Sequence, residues 1–159
     1  MARLLLLFVA GMIFTAHASL IPEKPAAHIE AELVAKTVLY PPDGTVIADF
    51  SLSAPYSYLA GGMRYQDGKL TVPTNGRYYI YAQIYYMNKG RVFVNVNRKA
   101  VTMMQPPITA NDHGTLNTGG VFNLKAGDEI TLTSATYPEI RGAKIYMASY
   151  HSYFGAILM

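Results

Sequence analysis

Three histidines, His28, His113 and His151, and three turn-region carboxylates, Asp112, Asp128 and Glu129, are the side chains most suited to acid–base or metal chemistry. A catalytic or zinc centre needs such groups at fixed spacing, as in His-x-His, His-Glu-x-x-His or a Gly-x-Ser-x-Gly nucleophile turn, and none of these arrangements occurs. A metal site in a β-sandwich would need His and carboxylate ligands clustered on neighbouring strands, which the pattern does not supply. The loop carboxylates carry the hard oxygens that calcium prefers, yet their setting is that of ordinary solvated turns. The expectation is a non-enzyme with no catalytic residue, no cofactor and no metal.

The chemistry that remains is aromatic. The stretch GRYYIYAQIYY, Gly76 to Tyr86, reads as a strand with no face suited to water. Alternate positions Tyr78, Ile80, Ala82, Ile84 and Tyr86 form one apolar set, and Tyr79, Tyr81, Gln83 and Tyr85 form a second, aromatic one. A two-sheet sandwich covers only one face of such a strand, so the other calls for a partner, and a second copy of the chain is the economical one. The end of the chain repeats the pattern: Phe154, Ala156 and Leu158 share one face, and Tyr153, Gly155, Ile157 and Met159 the other. Side by side, the two strands would put Tyr79, Tyr81, Tyr153 and Ile157 into one exposed apolar patch. The competing reading is a wholly intramolecular core.

The elements that must position these rings are short strands. Ala27–Leu33, with His28 and Glu30 facing away from Ile29, reads as the first, and Tyr40-Pro41-Pro42-Asp43-Gly44 as a turn. Val46–Leu52 is read as a strand and Ser53–Gly62 as irregular. Met63–Tyr65 and Leu70–Val72 flank Asp67-Gly68 as a hairpin, which Pro73 ends. After the central stretch come Arg91–Asn97, a tight Asn97–Lys99 turn, Ala100–Met104, a Gln105–Gly114 loop and Leu116–Leu124. Gly119-Gly120 marks a close backbone approach or a bulge. Ile130–Thr133, a Tyr137–Gly142 loop and one final strand, Lys144–Met159, complete the chain. About ten strands without a helix predict an all-β, antiparallel sandwich.

Composition agrees. The chain has 159 residues, 51% hydrophobic and 14% charged, with 13 Tyr, 13 Gly and 9 Pro, which suits one β-rich domain. The net charge of +3 is dispersed, so no basic stripe for nucleic acid or anionic lipid is expected. Arg3, the apolar run Leu4–Ala16 and Ala16-His17-Ala18 have the form of a secretory signal peptide with cleavage before Ser19. The apolar run is short of the roughly 20 residues of a spanning helix. The expected organisation is therefore a signal peptide at 1–18, a short leader at 19–26 and one domain at 27–159, secreted and without a stable membrane anchor. With no cysteine, stability must come from packing rather than disulfides.

Four ordered blocks also resemble a known family. AHIEA at Ala27–Ala31, GKLTVPTNGRYYIYAQIYY at Gly68–Tyr86, GGVFNLKAGDEI at Gly119–Ile130 and YFGAIL at Tyr153–Leu158 are similar to successive strand motifs of the tumour necrosis factor ligand family. The resemblance implies a ten-stranded jelly-roll sandwich, a homotrimer, and signalling through cysteine-rich receptor ectodomains bound in the grooves between protomers. It also implies that Tyr79, Tyr81, Gln83, Tyr153 and Ile157 form subunit contacts. The loops matching its receptor contacts offer Lys89, Arg98, Lys99, Ile108, Tyr137 and Arg141 as candidates. The sequence departs from many members in having no Trp and a compact Lys99–Gly114 segment. Its ending is close to the ectodysplasin-like branch, without that branch's collagen repeat. The globular heads of the first complement component share the fold and a similar closing strand, so the alternative is a secreted module that binds glycans or microbial surfaces.

Overall fold

The computed structural model describes residues 22–107, 109, 112–135 and 142–159. The proposed signal segment 1–18, the first three residues of the leader (19–21), and Ile108, Tyr137 and Arg141 lie outside them.

Thirteen strands form among the described residues: β1 Ala26–Ala31, β2 Lys36–Tyr40, β3 Phe50–Ser51, β4 Tyr58–Ala60, β5 Arg64–Gln66, β6 Lys69–Thr71, β7 Gly76–Tyr86, β8 Val92–Val96, β9 Lys99–Met104, β10 Gly114–Leu124, β11 Glu129–Ser134, β12 Ala143–Met147 and β13 Tyr153–Leu158. All their ladders are antiparallel. One sheet of eight strands runs β2-β12-β7-β13-β1-β3, with β10 on the other edge of β7 and β4 also on β1; the second runs β5-β6-β11-β8-β9. The result is the expected jelly-roll sandwich.

The core lies between the sheets. From the first come Ile29, Tyr78, Ile80, Ala82, Ile84, Phe154 and Ala156, and from the second Leu70, Val92, Val94, Ile130 and Leu132, all buried. The alternation read in the central and closing strands is thus the alternation observed, because each strand turns every second side chain inward. Both predicted tight turns form, the second confined to Asn97-Arg98 because Lys99 already belongs to β9. Asp67 and Gly68 take φ of 50° and 79°, and Asn97 and Arg98 take 49° and 67°, the left-handed pairs that match the twist of a tight hairpin.

Four expectations change. Ser53–Gly62, read as irregular, contains β4, which pairs along β1 at Ala26–His28. Lys36–Tyr40, not read as a strand, becomes β2, because its ladder partner β12 lies a hundred residues away and leaves no local signal. Val46–Leu52 is not one strand: Val46 makes an isolated bridge to Thr133, and only Phe50–Ser51 pairs again. The break is where the chain crosses from the smaller sheet, at Val46, to the larger, where Phe50 pairs with Ala31. Between them the Asp49 carboxylate accepts from Tyr40 Oη at 2.5 Å and pairs with Lys36 Nζ at 2.8 Å. Burial alone would raise the Asp49 carboxyl, but the bonds to Lys36 and Tyr40 outweigh it and hold the group below the usual range.

The final stretch is two strands, β12 and β13, joined by a turn in which His151 and Ser152 N–H groups both donate to Ala148 O, at 2.9 and 3.0 Å. Ser152 holds that turn. Its fully buried hydroxyl accepts from the Tyr85 N–H at 3.1 Å and donates to Tyr146 O at 2.9 Å, tying β7 to β12 where the ladder between them ends. Ser152→Ala leaves one buried donor and one buried acceptor without a partner, at a cost of roughly 1–3 kcal/mol each. A clear fall in the urea unfolding midpoint, with the slope retained, is the expected result.

Candidate functional site

The outer face of the eight-stranded sheet carries the aromatic set. Register places Gln83 opposite Tyr153, Tyr81 opposite Gly155 and Tyr79 opposite Ile157 across β7 and β13, so the five predicted interface residues lie on one surface. On the far side of β7, β10 contributes Asn117, Gly119 and Val121 opposite Gln83, Tyr81 and Tyr79. Beyond β13, β1 brings His28 opposite Gly155, and β4 brings Tyr58 opposite His28. The face therefore reads as rows across the sheet, one of which is Gly119, Tyr81, Gly155, His28, Tyr58.

The glycines in that row make room for rings. A Cβ at Gly155 would lie 2.5 Å from Tyr81 Oη and would also strike the Ala27 carbonyl; one at Gly119 would lie 2.6 Å from Tyr79 Oη. Gly119-Gly120 is accordingly a close approach and not a bulge, since the β7–β10 register runs unbroken. Tyr81 lies across Gly155, its hydroxyl 2.9 Å from His28 Nδ1 and 3.3 Å from Ala27 O. Its ring stacks at 6.0 Å on Tyr79 and 5.8 Å on His28, and Tyr153 meets it edge-on at 6.4 Å. Burial, reinforced by the surrounding phenols, pushes the Tyr81 hydroxyl well above the usual tyrosine range, so it stays neutral.

Gln83 is committed within its own protomer. Its Oε1 accepts from Tyr153 Oη at 3.0 Å, and its Nε2 donates to His151 O at 3.2 Å. One amide N–H remains available to a neighbour.

His28 and Val121 belong to this face and were not among the predicted interface residues. Both could have been found: each occupies an alternate position opposite a core residue, Ile29 or Phe122, on a strand flanked by the tyrosines. His28 also touches Tyr153, with centroids 5.0 Å apart, and lies 3.9 Å from the buried Glu30 carboxylate. A second aromatic group continues along the sheet, where Tyr85 meets Tyr146 at 6.0 Å, His151 at 5.0 Å and His113 at 6.3 Å. His113 and His151, isolated in sequence, are thus brought around one tyrosine. Among the described residues no group of three or more His, Cys, Asp or Glu could hold a metal. Asp128 accepts from Asn97 Nδ2 and the Lys125 N–H, both at 2.8 Å, and Glu129 pairs with Lys69 at 3.5 Å, so these two carboxylates serve turns and strand edges.

The receptor candidates are dispersed. Arg98 and Lys99 share the β8–β9 corner, and both are exposed. Lys89 is exposed on the β7–β8 connection, which Asn88 fastens by donating to Gly142 O at 2.7 Å and accepting from the Gly90 and Lys144 N–H groups at 3.0 and 2.9 Å.

A family model described as the TNF (Tumour Necrosis Factor) family matches residues 52–159. Among solved structures, the chain is similar to Eiger TNF from S. frugiperda, with a TM-score of 0.65 and 15% identity over 86% of this chain and 93% of that one. It is also similar to murine APRIL at pH 8.0, with a TM-score of 0.63 and 18% identity over 85% and 98% of the two chains, and at pH 5.0, with 0.62 and 16% over 86% and 99%. These low identities carry the fold. No curated protein matches the chain by sequence.

The face has a pH dependence with a definite sign. Burial lowers the His28 imidazole below its ordinary value of 6.5, and the Glu30 carboxylate only partly offsets this. A lowered folded value means that the stability held by neutral His28 is fully present above about pH 6.5 and is lost as pH falls through the lower folded value. His28→Gln should flatten that part of the stability profile, read from urea midpoints across the acid range. An unchanged slope would place the titration elsewhere.

Proposed function

The chain belongs to the tumour necrosis factor family and is a cytokine of that type, and on that premise we propose that it is a secreted homotrimer that binds and clusters cysteine-rich receptors. The observation that carries this reading is the uncovered aromatic face. Tyr79 is 41% exposed and Ile157 36%, although each stands on a central strand of the eight-stranded sheet, and Val121 beside them on the edge strand β10 is 53% exposed. A second and third copy would bury these residues, and the aromatic rows supply area and edge-to-face geometry suited to packing around an axis. The subunit contacts we assign are Tyr79, Tyr81, Gln83, Tyr153 and Ile157, extended by His28 and Val121.

Secretion follows from the signal-like segment 1–18, with the domain at 27–159 as the working unit. Receptor contacts would come from the exposed loops, with Lys89, Arg98, Lys99, Ile108, Tyr137 and Arg141 as candidates. Family membership favours this reading over the complement-type recognition head.

Three experiments test it. Light scattering of the wild-type protein should give a mass near three times that of the protomer at micromolar concentration, and a monomer would overturn both trimer and groove. Tyr81→Ala removes a large ring from the centre of the face, a truncation worth about 3–5 kcal/mol per protomer when such a side chain is buried, and should yield monomer or aggregate that does not signal.

Lys99→Glu should leave the trimer intact while weakening capture of a cysteine-rich receptor ectodomain about tenfold, or about 1.4 kcal/mol. Unchanged affinity for Lys99→Glu combined with Lys89→Glu and Arg98→Glu would remove these turns from the receptor site.

A further inference from the structure

The second sheet carries a different kind of surface, on the side facing away from the aromatic rows. A groove of about 590 Å³ runs over β6, β11, β8 and the start of β9, lined by Val46, Lys69, Phe93, Asn95, Thr131 and Thr133. Arg98 and Glu129 stand at its rim. Phe93 and Asn95 point outward because Val92 and Val94 of the same strand are fully buried in the core. An irregularity in the β8–β9 ladder lies between Val94 and Asn95, the kind of local break that re-aims a side chain.

Three features make the groove unlike ordinary outer-sheet surface. Asn95 and Thr131 are sunk to 5% and 8% exposure although they face away from the core. Their hydrogen-bonding capacity is largely unspent: Asn95 Nδ2 donates to Thr133 Oγ1 at 2.9 Å, while its Oδ1, its other N–H and the Thr131 hydroxyl make no side-chain bond among the described residues. None of these atoms is sealed from solvent without a partner, and both residues line the groove. Beside them Phe93 offers a half-buried ring, and Arg98 makes no hydrogen bond or ion pair among the described residues.

We propose that this groove is a carbohydrate-binding site, in which a pyranose ring lies against Phe93 and its hydroxyls bond Asn95, Thr131 and Thr133, with Arg98 and the Lys69–Glu129 pair at the rim. The match is chemical. A pyranose has one apolar C–H face, which suits an aromatic ring, and an equatorial belt of hydroxyls that both donate and accept, as do an amide and threonine hydroxyls. The volume lies within the range of small-ligand sites with a few placed polar groups. A simple anion fits less well, because Glu129 stands at the same rim, only 3.5 Å from Lys69. The site lies on the opposite sheet from the proposed subunit contacts, so it would remain open in a trimer, and it shares only Arg98 with the receptor candidates.

Saturation-transfer NMR on the full secreted protein tests this, with the methyl glycosides of glucose, galactose, mannose and N-acetylglucosamine at millimolar concentration and inorganic phosphate as the anion control. The expected result is transfer to the ring C–H protons of at least one sugar, with affinity about tenfold weaker in both Phe93→Ala and Asn95→Ala. If Phe93→Ala does not fold, Thr131→Val provides the second variant. No transfer from any sugar would overturn the proposal, as would transfer that persists unchanged in the variants. Phosphate-induced shifts at Arg98 without any sugar response would overturn it too, marking an anion site instead.

Discussion

The structure depends on an interlock between rings and glycines on the outer face of its larger sheet. Tyr81 lies flat only because Gly155 has no side chain beneath it, and Tyr79 leans over Gly119 for the same reason. The vacancy at Gly155 also lets β1 approach β13 closely enough for Tyr81 to reach both His28 and the Ala27 carbonyl. Four strands, β10, β7, β13 and β1, are therefore held in one lateral register by side chains as well as by their ladders. That register is what aligns the exposed rings into rows, and a set of rows is what another copy of the chain can meet.

The two sheets divide the labour. The larger one has spent much of its polar capacity internally: Gln83, Tyr153, Tyr81 and His28 bond within the protomer, leaving a face dominated by ring surface. The smaller one keeps polar capacity open, with Asn95 and Thr131 recessed but not fully bonded. A desolvated face of the first kind suits permanent packing, since little hydration is lost when it closes. A recessed polar face of the second kind suits reversible contact with a hydrated ligand.

Legibility in the sequence followed the range of the interactions. The faces of β7 and β13 could be read because period-two alternation is local, and the turns at Asp67-Gly68 and Asn97-Arg98 because left-handed backbone has its own residue signature. β2 could not, since Lys36–Tyr40 is a strand by virtue of β12 alone. The break before β13 escaped because Ser152 looks like any strand residue until its hydroxyl is seen joining Tyr85 to Tyr146. His28 was read as facing away from Ile29, but its membership of the aromatic face depends on β13 lying between β1 and β7, a fact of topology. The groove around Asn95 depends on a ladder irregularity with no marker in the residues themselves.

The position of β13 has a consequence for biosynthesis. It lies between β1 and β7, and its end is fastened from both sides, with the Leu158 N–H bonded to Pro25 O at 2.9 Å and the Met159 N–H to Arg77 O at 2.8 Å. Every other described strand leaves the ribosome before it. Until it arrives, β1 and β7 each present an unpaired edge beside a row of tyrosines, the combination that favours pairing with the wrong chain. The larger sheet cannot close until β13 has emerged. The nascent chain thus passes through a vulnerable interval between the emergence of β7 and that of β13, and its length is set by translation rate rather than by the stability of the finished sandwich.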